Sequence, residues 1–170
     1  MKLFAAGLII CSCGAMGLLV ASSYTMRVRN LKQLMNFMQV LESEIHFART
    51  TLPDLIAQQA PQFSGAVGRF LAVLRDQLED GAGESFSAVW DQGLTSLSSN
   101  GLPPSVLEDL RACGNALGRS DAAEQSKHVQ QLIFRLEQAL GTAERDREQH
   151  VRLWQYLGFC AGLLIVLLLF

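Results

Sequence analysis

The sequence predicts an all-α protein, a helical bundle anchored by two membrane-spanning helices, one N-terminal and one C-terminal. Three observations predict it. No charged residue occurs in 3–26 or in 153–170. Between those runs, apolar residues recur three and four positions apart, and nothing alternates with period two between turn signals. Ser, Thr, Pro and Gly also stand where helices would start and stop.

The first element is the charge-free run Leu3–Met26, 24 residues long. At ~1.5 Å per residue it reaches ~36 Å, more than the ~30 Å hydrocarbon core of a bilayer. Arg27, Arg29 and Lys32 follow at once and would hold that side in the cytoplasm. A cleaved signal peptide is the rival reading, with Lys2 as its basic start, Leu8–Val20 as its apolar core and Ala21-Ser22-Ser23 as its cleavage site. The three basic residues oppose that export. A lipoprotein anchor at Cys11 or Cys13 is weaker, because Ile10 before Cys11 is not small and no Leu stands three before Cys13.

Residues 27–152 form the middle domain and carry all 16 acids and 13 of the 14 bases. Its charged share is that of an ordinary soluble domain, about a quarter. A net charge of −2 disfavours a nucleic-acid binder, which would gather a basic excess on one face.

The domain opens on a long helix whose seam is Leu31, Leu34, Met38, Leu41, Ile45, Ala48 and Leu52, at alternating spacings of 3 and 4. Three heptads suit a bundle helix better than a free coiled coil. Thr51-Leu52-Pro53-Asp54 starts a short second helix, with Thr51 as N-cap, ending near Ala60-Pro61. A third is expected over 64–79, facing inward through Val67, Phe70, Leu71, Leu74 and Leu78 and stopped by Gly81-Ala82-Gly83. A fourth begins near Ser85 and turns Phe86, Val89, Trp90 and Leu94 inward.

After the turn Ser98-Ser99-Asn100-Gly101, Pro103-Pro104 starts a fifth helix that buries Leu107, Leu110, Cys113 and Leu117 and closes at Gly118. Ser120 caps the last, whose inward face is Val129, Leu132, Leu136, Ala139 and Ala143. Residues 144–150 are polar on every face, a stalk continuing into the second span. That span, 153–170, reaches ~27 Å, a minimal crossing with Trp154 and Tyr156 at its interfacial end. Arg145, Arg147 and Arg152 lie on its near side. Both flanks of the domain are therefore basic, which predicts a hairpin with the domain cytoplasmic and both chain ends across the membrane.

Little chemistry is legible. Neither a phosphate-binding glycine loop nor a nucleophile elbow occurs. Glu42 with His46, and Glu124 with His128, are i, i+4 pairs that could present metal ligands, but the Glu-x-x-His pattern of a carboxylate bundle site is absent. They read as surface or half-buried pairs that help a helix, and His150 ends the stretch that is polar on every face. Cys11, Cys13 and Cys160 lie in the apolar runs and Cys113 stands alone in the domain, so no disulfide framework is available there. Cys113 reads as a small core hydrophobe. No catalytic, cofactor-binding or metal residue is assigned. The acidic faces around Asp76, Glu79, Asp80 and Glu84, and at Glu108-Asp109, could meet a basic partner, though such runs are usually solvated faces.

Assembled, these pieces resemble the stage III sporulation protein AB family of endospore-forming bacteria. The resemblance rests on the two terminal spans around a helical domain of this size, and on local strings. These are Arg27-x-Arg29 leading to Leu31 and Leu34; Leu41-Glu42-x-Glu44-Ile45; Cys113-Gly114-x-x-Leu117-Gly118-x-Ser120-Asp121 with Gln125 and His128; and Tyr156-Leu157-Gly158-x-x-x-Gly162-Leu163. Two departures are Cys113, where the family favours an aromatic, and Thr50-Thr51-Leu52, where it tends to Thr-Pro-Leu.

The resemblance implies a non-enzymatic subunit, without cofactor, of the channel-like complex between mother cell and forespore, in the mother-cell membrane facing the forespore. The family is similar to the inner-membrane platform protein of type II secretion systems. By that analogy the helical domain would dock the secretion-type ATPase of the same operon and join other membrane proteins of the stage III sporulation A complex. The alternatives are a metal-binding or enzymatic helical bundle and a signal-bearing envelope protein.

Overall fold

The computed structural model describes residues 2–47, 50–80, 85–98, 101–117 and 122–169, with side chains for 21–47, 50–80, 85–98, 101–117, 124–151 and 160. The described elements are α1 (Lys2–Phe47), α2 (Leu52–Gln59) with a 3₁₀ turn at Ala60–Gln62, α3 (Gly65–Glu79), α4 (Phe86–Ser98), α5 (Pro104–Leu117) and α6 (Ala122–Leu169). No strand occurs among the described residues, so the fold is all-α. Among them no helix is long and apolar enough to cross a membrane; the side chains of 3–20, of 153–159 and of 161–169, which make up most of the two charge-free runs, lie outside the described set.

The chain forms two compact units. One comprises Met1–Val28 with Gly141–Phe170, the other Arg29–Leu140. The polar stretch 144–150 thus groups with the terminal segments.

In the larger unit the core is drawn from every helix. α1 buries Leu31, Leu34, Phe37, Met38 and Leu41; α3 buries Val67, Phe70, Leu71 and Leu74; α4 buries Val89, Trp90, Leu94 and Leu97. Helix α3 packs on α4, α4 on α5, and α2 on α3. Phe37 of α1 meets Phe63 edge-on, with ring centroids 6.1 Å apart.

Local signals set the helix ends. Thr51, with φ −71° and ψ 152°, is extended, and its hydroxyl accepts from the Asp54 N–H at the head of α2. Ser85 does the same for the Ala88 N–H at 3.4 Å. Ser64 precedes α3 yet makes no side-chain cap. Its hydroxyl instead accepts from Arg29 Nη2 at 2.9 Å and Gln33 Nε2 at 3.4 Å, tying the head of α3 to α1. Gly101 turns the chain towards α5 at φ +77°, where a Cβ would be strained.

The expected seam of α1 is too long. The helix ends at Phe47 and Leu52 belongs to α2, because the Thr51 cap and Pro53 start a new helix where a heptad count would carry the old one on. Ile45 and Leu52 are half-buried, and Ala48 lies outside the described residues. Four inward faces also shift slightly, the fourth helix among them, where Phe86 is half-buried. Leu78 is half-buried; Val106 replaces Leu107; and Leu140, 9% exposed, replaces Ala139. Gly81-Ala82-Gly83, Ser99-Asn100, Gly118 and Ser120 lie outside the described residues.

Candidate interaction surface

The most specific string in the sequence runs from Cys113 to Gln125, and its described start on α5 packs against Trp90. The indole is 1% exposed, set edge-on against Phe70 with ring centroids 5.1 Å apart and tilted on Phe86 at 5.6 Å. Its Nε1–H donates to the Leu110 carbonyl at 2.8 Å. In an α-helix that carbonyl also accepts from the N–H of residue 114, and a carbonyl has two lone pairs to offer. Residue 114 is glycine. A Cβ there would lie 2.2 Å from Trp90 Cδ1 and 2.6 Å from Nε1. The glycine therefore admits an indole ring. One step further along α5, Gln125 Nε2 donates to the Leu117 carbonyl at 2.9 Å, satisfying a carbonyl that the end of the helix leaves open. In the described part of the string, Gly114 makes room for packing and Gln125 caps a helix end.

The residues singled out as ligand candidates do not converge. Glu42 accepts from Gln130 Nε2 at 2.7 Å, while its helical neighbour His46 is exposed and meets the ring of Phe47 edge-on. Glu124 and His128 are both exposed. Among the described residues no three His, Cys, Asp or Glu side chains are placed to hold a metal ion. His128 does line a cavity of about 80 Å³ with Cys113, Asp109, Gln131 and Arg135. Burial pushes the Cys113 thiol up to about 12, which favours its protonated form at neutral pH. Asp109 is engaged by Arg135.

The acidic faces are partly neutralised. Asp76 pairs with Arg75 at 2.7 Å, and Asp109 with Arg135. Glu79, Asp80 and Glu108 remain exposed, and Glu84 lies outside the described residues.

Two surface features escaped the sequence reading. Phe47 and Phe134 are 61% and 60% exposed. The signal for Phe134 was present: it falls off the 129–132–136 stripe and so had no core to enter. The second is in the smaller unit, where Tyr24 stacks on His150 with centroids 5.1 Å apart and Arg27 faces Asp146 at 4.0 Å.

Among the described residues the surface is one of capped helices and solvated charges, and no metal-binding cluster converges on it. The model of the stage III sporulation protein AB family matches residues 2–170. The chain belongs to that family. It is 33% identical over 170 residues to stage III sporulation protein AB of Bacillus subtilis (strain 168), covering 99% of each chain. A solved structure of a stage III sporulation protein AB matches with a TM-score of 0.67 at 30% identity, covering 73% of this chain and 98% of that one. Membership in this sporulation family agrees with the resemblance carried by the Arg27, Glu42, Gly114 and Gly158 strings.

Proposed function

We propose that this member of the stage III sporulation protein AB family is a non-enzymatic, two-pass membrane subunit of the channel complex between mother cell and forespore. In this reading residues 3–26 and 153–170 span the mother-cell membrane facing the forespore, with the helices of Arg29–Leu140 in the cytoplasm. Those helices dock a secretion-type ATPase and connect it to other membrane proteins of the stage III sporulation A complex.

One observation carries the proposal. The family match runs from residue 2 to residue 170 and so takes in both charge-free runs together with the bundle. The basic flanks Arg27, Arg29 and Lys32, and Arg145, Arg147 and Arg152, support the orientation. The high thiol pKa of Cys113 and the scattered histidines support a role without catalysis.

The test is co-purification of the tagged full chain from sporulating cells after mild detergent extraction. The secretion-type ATPase and the A-complex membrane proteins are expected in the eluate. Their absence, in a preparation where the chain itself is intact and membrane-bound, would refute the docking role.

A further inference from the structure

We propose that the described part of the smaller unit is a collar for anionic phospholipid headgroups, an inference that rests on the membrane placement proposed above. In this unit α1 and α6 run antiparallel. The Tyr24 ring lies flat on His150, with 11° between the planes, and His150 Nδ1 sits 2.9 Å from the Asp146 carbonyl oxygen. One turn along α1, Arg27 faces Asp146. Residues 24–27 are thus level with 146–150, where the charge-free runs 3–26 and 153–170 meet the charged part of the chain.

The charges at this level are unevenly used. Asp146 is balanced by Arg27, whose Nε is nonetheless buried without a partner. Glu144 has an interaction of its own. Arg145 is exposed, Arg147 is half-exposed, and neither makes an ion pair among the described residues. One exposed acid, Glu148, opposes them. By sequence the unit holds five bases, Lys2, Arg27, Arg145, Arg147 and Arg152, against the three acids Glu144, Asp146 and Glu148.

Geometry selects the occupant. At 100° per residue, positions 145 and 147 lie 200° apart and project to opposite flanks of α6, while Asp146 between them turns to Arg27. A single phosphate ion cannot reach both arginines, whereas a layer of headgroups surrounding the helix pair meets both. Met26, 53% exposed beside Arg27, and the stacked Tyr24–His150 pair have the mixed apolar and polar character of interfacial residues. Arginine forks match phosphate oxygens, and their stems can reach along the helix towards the interface. Each arginine near an anionic surface strengthens the attraction to that surface by about fivefold.

The experiment reconstitutes the full chain in vesicles of equal parts phosphatidylglycerol and phosphatidylcholine. The chain is then extracted with mild detergent, and the ratio of the two lipids retained is compared with the bulk ratio. Phosphatidylglycerol is expected to be enriched several-fold, R145Q/R147Q to return the ratio close to bulk, and E148Q to raise it. Sodium phosphate is expected to lower the enrichment no more than sodium chloride of equal ionic strength. A bulk ratio for the unaltered chain, an enrichment that survives R145Q/R147Q, or a selective loss in phosphate would each overturn the collar. If the chain floats with vesicles but retains lipids at the bulk ratio, the collar alone fails. If it does not float with vesicles of either lipid, the membrane placement fails with it.

Discussion

Replacing Gly114 by alanine adds one methyl group to α5 and tests the Trp90 packing directly. The new Cβ would stand 2.2 Å from Trp90 Cδ1, 2.5 Å from Cγ and 2.6 Å from Nε1. Restoring ordinary contact at about 3.4–4 Å requires the ring or α5 to move by more than 1 Å. A shift of that size takes the indole N–H beyond hydrogen-bond reach of the Leu110 carbonyl, now at 2.8 Å. Overpacking costs roughly 1–3 kcal/mol, and a buried donor left unsatisfied a further 1–3 kcal/mol. Alanine recovers about 1 kcal/mol of helix propensity over glycine. The net expectation is a loss of about 3 kcal/mol.

The assay is urea denaturation of the full chain in mild detergent, in a Trp154→Phe background so that Trp90 is the only indole reporting. Two controls separate packing from propensity. Gly141 is also helical, but a Cβ there meets nothing within 4 Å, so Gly141→Ala should be neutral or stabilise by up to about 1 kcal/mol. In a Trp90→Ala background, read by far-ultraviolet circular dichroism, Gly114→Ala should cost far less, giving a coupling of roughly 2 kcal/mol in the double-mutant cycle. If Gly114→Ala were as stable as the unaltered chain, or if its cost persisted without the indole, the account of the Cys113–Gln125 string would be wrong.

Two further outcomes follow from the larger unit. Burial raises the Cys113 thiol from 9.0 to about 12, so the unfolded chain loses this proton first. The contribution of Cys113 is therefore complete below pH 9 and declines as the pH rises from about 9 to 12, by up to roughly 1.4 kcal/mol per pH unit. Stability measured over that range should fall less steeply in Cys113→Ala, and an unchanged slope would contradict the buried thiol. Thr51→Ala removes the cap of α2 and should cost about 1 kcal/mol in the same denaturation assay, whereas Thr51→Ser should retain most of it; equal losses would show that the cap contributes nothing.

How far the fold could be read depended on the kind of signal at each position. Thr51 and Ser85 were legible as helix starts because capping is a contact between a side chain and the backbone three residues away. Ser64 looked equivalent and was not, since Arg29 and Gln33 draw its hydroxyl into a tertiary contact with α1. Phe37 lies outside the heptad seam yet is fully buried, because α1 meets Phe63 on one side and the rest of the bundle on another, and a two-position seam is narrower than such a face. The exchange of Leu107 for Val106 has the same origin: one step along a helix is 100°, and only the neighbouring helix decides which of two adjacent apolar residues it covers. Where chemistry was sought, the Glu42 and Glu124 pairs were visible by spacing, but what Glu42 meets, Gln130, is 88 residues away.

Periodicity, caps and charge-free runs are local properties, so the sequence by itself determined the all-α class, the approximate helix ends and the family strings. The tertiary structure alone decided what those strings are for. Gly114 reads as a helix glycine until α4 lays an indole over it, and Gln125 reads as one more polar residue until it reaches the Leu117 carbonyl. Tyr24, Arg27, Asp146 and His150 likewise acquire a common level only when the two ends of the chain lie side by side. The physical reason is the same in each case: contacts between residues far apart in sequence leave no trace in local spacing, and packing selects among options that local rules leave equal.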